Sequence, residues 1–127
     1  MKKKIAFICV HNSCRSQMAE AFGKKYLAES YDCYSAGTET KPCINPDAVR
    51  VMKEHFNIDM SGQYSKLIGD IPIPDIVITM GCNVKCPAIA CNERYDWGLS
   101  DPTGKSDDEF IKTAEKIKEN VLKLKDE

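Results

Sequence analysis

Apolar residues gather in two short, nearly continuous runs, Ile5-Ala6-Phe7-Ile8-Cys9 and Ile76-Val77-Ile78-Thr79-Met80, and in three stretches with helical spacing. The runs carry no polar alternation, the pattern of strands buried on both faces of a parallel sheet. Cys33-Tyr34-Ser35-Ala36-Gly37 reads as a further short strand ending at a glycine, and Arg94-Tyr95-Asp96-Trp97 as an edge strand. Helices are predicted where Met18, Phe22 and Tyr26 share a face and where Val49, Met52 and Phe56 do so. The second is opened by Asn45 as N-cap and Pro46 at the first helical position. The last helix carries Phe110, Ala114, Ile117, Val121 and Leu124 as one apolar stripe after the capping box Ser106-Asp107-Asp108-Glu109. Between these elements, Gly69 to Asp75 with its two prolines is a loop, and Asp101-Pro102-Thr103-Gly104 is turn chemistry.

Strands alternating with helices imply right-handed crossovers and an α/β fold whose parallel sheet is covered on both faces. The 127 residues suffice for one domain spanning 1–127, with no repeat, low-complexity tract or linker. Ligands of such sheets bind beyond the carboxyl ends of the strands. The segments Cys9–Ser16 and Gly81–Cys91 are therefore expected to share one face.

Composition narrows the function by exclusion. Lys and Arg number 18 against 19 Asp and Glu, a net charge of −1 that indicates neither nucleic acid nor an anionic membrane as partner. Lys2-Lys3-Lys4 is read as a solvated terminus. No stretch approaches the ~18–20 apolar residues of a membrane span, and Ile5–Val10 is too short for a signal peptide. A cytoplasmic location is expected. Seven cysteines, an odd number, then point to redox or metal chemistry rather than to a disulfide framework.

Cys9-Val10-His11-Asn12-Ser13-Cys14-Arg15-Ser16 joins the first strand to the first helix. A loop in that place can wrap a tetrahedral anion with the backbone N–H groups of Val10, His11, Asn12, Ser13 and Cys14, at the positive end of the helix. Arg15 arrives where its guanidinium can fork onto two oxygens. Cys9 lies beneath these donors, where positive potential lowers a thiol from ~8.5 toward ~4–7 and makes it a nucleophile. Ser16 can donate a further hydrogen bond to the thiolate. The bland alternative makes Cys9 a core thiol and Arg15 a surface residue.

Cys9 through Glu20 resembles the arsenate reductases, thioredoxin-coupled type, that share the low-molecular-weight protein tyrosine phosphatase fold. Tyr34-Ser35-Ala36-Gly37, Asn45-Pro46, Ile78-Thr79-Met80, Trp97-Gly98 and Asp101-Pro102-x-Gly104 have counterparts there as well. The resemblance implies a four-stranded parallel sheet with flanking helices, and reduction of arsenate to arsenite without a cofactor. Gln17 stands where the phosphatases carry proline, and Thr103-Gly104 where they carry groove tyrosines. His11 departs from both branches, which often have glycine there; a positive φ would suit histidine poorly. By resemblance Asp101 is the general acid and base; from spacing alone it is equally a turn aspartate.

The resemblance also implies that a second thiol releases arsenite from the Cys9 adduct as a disulfide forms. Thioredoxin-coupled members separate two such cysteines by six residues, the second before proline. Here Cys86 precedes Pro87, and only three residues separate it from Cys82. That spacing resembles a branch served by a small thiol or a glutaredoxin-like partner. Cys82 is expected to resolve first and Cys86 second, with Cys91 the alternative shuttle; a zinc site from the three is also chemically reasonable. Cys14 is expected to pack in the loop, Cys33 and Cys43 to lack partners, and His55 to lie half-exposed on a helix.

Relatives that hold potassium use Asn, Glu, Ser and Asp. Asn12, Glu20 and Ser35 match, but Lys66 occupies the fourth place, so its ammonium is expected to pair with Glu20 and no metal is expected. Phosphate or sulfate should also enter the loop, with weak residual phosphatase activity. The rival readings are a low-molecular-weight protein tyrosine phosphatase and a noncatalytic thiol–metal or oxyanion-binding regulator.

Overall fold

In a computed structural model of the chain, which describes residues 2–39, 42–81, 93–100 and 102–125, the first apolar run ends strand β1 (Lys3–Cys9). Helix α1 (Arg15–Tyr26) follows, then β2 (Tyr31–Gly37), α2 (Pro46–Phe56), β3 (Ile76–Thr79), β4 (Glu93–Asp96) and α3 (Asp107–Lys125). The four strands form one parallel sheet in the order β2-β1-β3-β4. β1 and β2 each begin two residues before the apolar run. Lys3 pairs with Tyr31 and Lys4 with Asp32 at the open end of the sheet, where backbone pairing does not require an apolar side chain.

Successive residues of β1 face opposite sides. Ile5 and Phe7, with Ile76 and Ile78 of β3, join the larger core, to which α1, α2 and α3 contribute Met18, Phe22, Val51, Met52, Phe110 and Ile117. Ala6, Ile8, Ala36 and Val77 face the other way and are met by Ile68 and Ile71. Ile68 opens a short 3-10 turn, Ile68–Asp70, that runs into the segment read as loop, and Ile71 follows it. Each fully buried side chain of this size contributes roughly 1.5–3 kcal/mol, and Phe7, Phe22 and Phe110 are all at 0% exposure.

Helix ends follow the local chemistry. Asn45 Oδ1 accepts the Asp47 N–H at 2.9 Å, Pro46 takes the first helical position, and α2 stops at Asn57 with φ of 55°. α3 buries the whole apolar stripe and carries Asp107, Asp108 and Glu109 in its first turn, where negative charge suits the helix dipole. β4 is the expected edge: every side chain from Glu93 to Asp96 is exposed, while Trp97 turns back onto Phe7 at 5.6 Å between ring centres.

Candidate active site

The chain leaves β1 toward β2 on one side, while β3 lies on the other side of β1. Such a reversal opens a crevice at the carboxyl ends of the two strands. Cys9 is the last residue of β1, and β3 ends beside it, with Met80 N–H donating to Ile8 O at 3.1 Å. The 10–14 loop therefore lies where the topology admits a ligand.

Five successive carbonyls of that loop are tied to its surroundings. Val10 O accepts from Glu39 N at 2.9 Å, His11 O from Ser65 Oγ at 2.8 Å, and Asn12 O from Gln17 Nε2 at 2.9 Å. Ser13 O accepts from Asn45 N at 2.8 Å and Cys14 O from Met18 N at 2.9 Å. In a trans peptide the following N–H points opposite to the carbonyl. With the carbonyls held by surrounding groups, the N–H groups of residues 11–15 are presented to the opposite side, the polarity an oxyanion requires. The turn that makes this possible is at Asn12, whose φ is +51°, and not at His11. Asparagine tolerates the left-handed region better than most residues. His11 instead meets Glu39 at 3.0 Å.

Arg15 is only 5% exposed, and its Nη1 donates to Leu99 O at 2.8 Å and to Met80 O at 3.2 Å. Its Nη2 lies 3.9 Å from Cys9 Sγ. The guanidinium is thus fixed by the β3 end and the Leu99 turn while facing the thiol. Gly81, with φ of +83°, lets those two segments meet: a Cβ there would stand 2.5 Å from Gly98 Cα. Ser16 Oγ accepts from Asn12 Nδ2 at 2.9 Å, which leaves its own proton to donate. Among the described residues no side chain caps α1, and no acidic residue occupies its first turn, so the helix presents its positive end to the loop.

Behind the loop lies a charge cluster built on the buried Glu20 and Lys66. Lys66 Nζ approaches Glu20 Oε1 at 3.2 Å, Ser35 Oγ donates to the same oxygen at 2.6 Å, and Lys24 Nζ reaches Oε2 at 2.8 Å. Burial would push the Glu20 carboxyl up, but the bonds from Lys24 and Ser35 and the lysine charges outweigh it and hold the group below its ordinary value. Its stabilisation is therefore present above the ordinary carboxylate pKa and lost as pH falls through the lowered one. Lys66 places its ammonium as the sequence suggested, and its backbone N–H also donates to Asn12 Oδ1 at 2.9 Å. Thermal melts in potassium and in sodium at equal ionic strength are accordingly expected to coincide. A rise of several degrees specific to potassium would show that the ammonium does not serve as the local cation.

The remaining thiols divide by environment. Cys14 is buried in the loop, and Cys33 is packed against Gly23. Burial, with the charge of Glu20 nearby, pushes the Cys33 thiol up to about 12, so it stays protonated at neutral pH. Cys43 is exposed, as is His55 on α2. Cys82, Cys86, Cys91 and Asp101 lie outside the described residues. Gln63 and Ser65 lie against the loop without having been marked by the sequence, and Gln17 was marked only for standing where the phosphatases carry proline. The stretch from 63 to 66 has no apolar period, so nothing in its own sequence points to the loop.

Residues 4–127 match the low molecular weight phosphotyrosine protein phosphatase family. An arsenate reductase of Staphylococcus aureus (strain N315) is 43% identical over 129 aligned residues, covering 98% of this chain and 97% of the relative. A solved arsenate reductase in the phosphate binding state superposes with a TM-score of 0.88 at 39% identity, covering 98% of this chain and 96% of that one. The thioredoxin-dependent arsenate reductase of Corynebacterium glutamicum superposes with a TM-score of 0.76 at 29% identity, over 97% of this chain and 60% of that one. Among the described residues, no helix is long and apolar enough to cross a membrane.

Proposed function

The chain belongs to the low molecular weight phosphotyrosine protein phosphatase family, and from that premise we propose that it is an arsenate reductase in which Cys9 is the nucleophile. One observation carries the reading: five anchored carbonyls turn the loop into an oxyanion cradle with Arg15 Nη2 3.9 Å from Cys9 Sγ at its base. The likeness to arsenate reductases along nearly the whole chain selects the substrate.

In this reading the Cys9 thiolate attacks arsenic(V), and one arsenate oxygen leaves as water with a proton from the Asp101 carboxyl. Arg15 and the loop N–H groups stabilise the charge that develops on the remaining oxygens. Cys82 then attacks Cys9 Sγ. The S–S bond forms as the S–As bond breaks, its electron pair stays on arsenic, and arsenite departs as arsenic(III). Two thiols have supplied the two electrons. Attack by Cys86 on Cys82 frees Cys9 and moves the disulfide outward to Cys82–Cys86, where thioredoxin, a glutaredoxin or a small thiol reduces it.

The test is arsenite production from arsenate with each reductant supplied separately, followed by mass spectrometry after one turnover without reductant. A Cys82–Cys86 disulfide is the expected product. Cys9–Cys82 as the stable end product would remove Cys86 from the relay, and a bridge to Cys91 would reassign its last member. Phosphotyrosine peptides are expected to be poor substrates, because Thr103-Gly104 supplies no aromatic wall. No arsenite, with peptide turnover at ~10⁴ M⁻¹s⁻¹ or better, would make the protein a phosphatase.

A further inference from the structure

We propose that Gln17 and Gln63 are positioning residues that set the oxyanion affinity of the loop. The inference rests on residues 10–16 binding an oxyanion, whatever that oxyanion is. Gln17 is fully buried on the first turn of α1. Its Nε2 lies 2.9 Å from Asn12 O, 2.8 Å from Asn12 Oδ1 and 2.8 Å from Tyr64 O. An amide has two N–H bonds, so one is shared by the two Asn12 oxygens and the other goes to Tyr64. Flipping the amide would set Oε1 against three acceptors, so the network itself fixes which atom is nitrogen.

Gln63 holds the other end. Its Nε2 donates to Gln17 Oε1 at 2.7 Å and to Gln17 O at 3.0 Å. The order of action is therefore Gln63 on Gln17, Gln17 on the Asn12 carbonyl, and that carbonyl's peptide on the Ser13 N–H. Asn12 is also the residue held at a φ of +51°. A left-handed turn in a non-glycine residue persists where its surroundings hold it, and Gln17 contacts both oxygens of the residue that makes it. Other groups buried near the loop fix different points: Ser65 holds His11 O, and Lys66 N–H shares Asn12 Oδ1. Among the described residues, only Gln17 donates to Asn12 O.

The arrangement is more than a fold contact because the tied peptide ends in a donor to the anion. Loss of the tie should thus raise the phosphate Kd and the apparent pKa of the Cys9 thiol, both of which depend on the loop's positive potential. The experiment compares Gln17→Leu, Gln63→Ala and the double variant. It reads phosphate affinity by calorimetry and Cys9 ionisation by ultraviolet absorbance across pH, well below each melting temperature. Gln17→Leu is expected to weaken phosphate at least tenfold, as when a buried acceptor loses its donor, and to shift the thiol titration upward. Gln63 is only partly buried, so Gln63→Ala remains informative if Gln17→Leu fails to fold. It should weaken phosphate severalfold in the wild-type background and hardly at all beside Gln17→Leu. Unchanged phosphate affinity and thiol titration, with only a lower melting temperature, would reduce the pair to a fold contact and overturn the proposal. Neither readout needs arsenate turnover, so this result stands apart from the arsenate reading.

Discussion

Cys9→Ser protein is expected to make no measurable arsenite while keeping its fold and its affinity for phosphate. Serine is close in volume, so the β1 end should repack easily at a position that is 6% exposed. Its hydroxyl, however, does not ionise near neutral pH and has none of the thiolate's nucleophilicity. Nor can it give up an electron pair by forming a disulfide, so both halves of the cycle fail. Arg15→Ala should lose on the order of a hundredfold or more in kcat/KM, because charge stabilisation of this kind is worth roughly 3 kcal/mol. That variant should also melt earlier, since Leu99 O loses the guanidinium as donor and Met80 O keeps only the Leu99 N–H. Steady-state assays and melting curves on both variants decide the matter. Arsenite production by Cys9→Ser at near wild-type rate would end the mechanism.

Gly37→Ala is expected to damage the site almost as severely, although Gly37 lies on the neighbouring strand. A Cβ there would stand 2.5 Å from Val10 O, 2.9 Å from Asn12 N and 2.9 Å from Glu39 O. All three are backbone atoms, so no side chain can swing aside. Relief requires Val10 O and Glu39 N to part, and with them the first anchor of the oxyanion loop. Overpacking of this kind costs about 1–3 kcal/mol, a fall of roughly 3–15 °C in a domain of this size. The larger effect should be on the anion: phosphate affinity is expected to drop by about two orders of magnitude if the Asn12 turn is displaced, in proportion to two buried donors lost. Calorimetric titration with phosphate, run alongside a thermal melt, gives the measurement. A Gly37→Ala protein with wild-type melting and wild-type phosphate affinity would show that the loop is not wedged against β2.

Where a residue's part depended on its neighbours in the chain, the sequence was enough. The continuous run ending at Cys9 marks a buried strand because a parallel strand needs apolar side chains on both faces. Asn45-Pro46 marks the start of α2 because capping is a contact within three residues. The stripe from Phe110 to Leu124 marks the buried face of α3 because 3.6 residues per turn align it. The Cys9–Arg15 spacing marks a strand-to-helix loop for the same local reason: a strand end, a short turn and a helix start are consecutive. Family likeness then selected arsenate, a choice that spacing alone does not make.

Helix α1 shows where local reading stops. Met18 and Phe22 are buried as their period requires, but Arg15, Ser16, Gln17 and Glu20 are buried too. A pattern of apolar positions treats those four as a solvent face. Gln17 and Glu20 are met instead by the 63–66 segment and by β2, some 15 to 50 residues away in the chain, Arg15 by Met80 O and Leu99 O farther still, and Ser16 by Asn12. Burying polar groups costs several kcal/mol unless partners meet them, and most of those partners come from elements and loops that chain order does not put beside α1. The left-handed turn falls at Asn12 and not at His11 for a related reason. Which peptide turns over depends on which carbonyl finds a donor, and the donors on Glu39, Ser65, Gln17 and Asn45 are assembled only by the fold. By itself, then, the sequence determined the elements and the strand–loop–helix step that carries Cys9 and Arg15, because these follow from contacts between chain neighbours. Only the tertiary structure decided how the loop's carbonyls are held and its donors aimed, because those bonds join residues that chain order keeps apart.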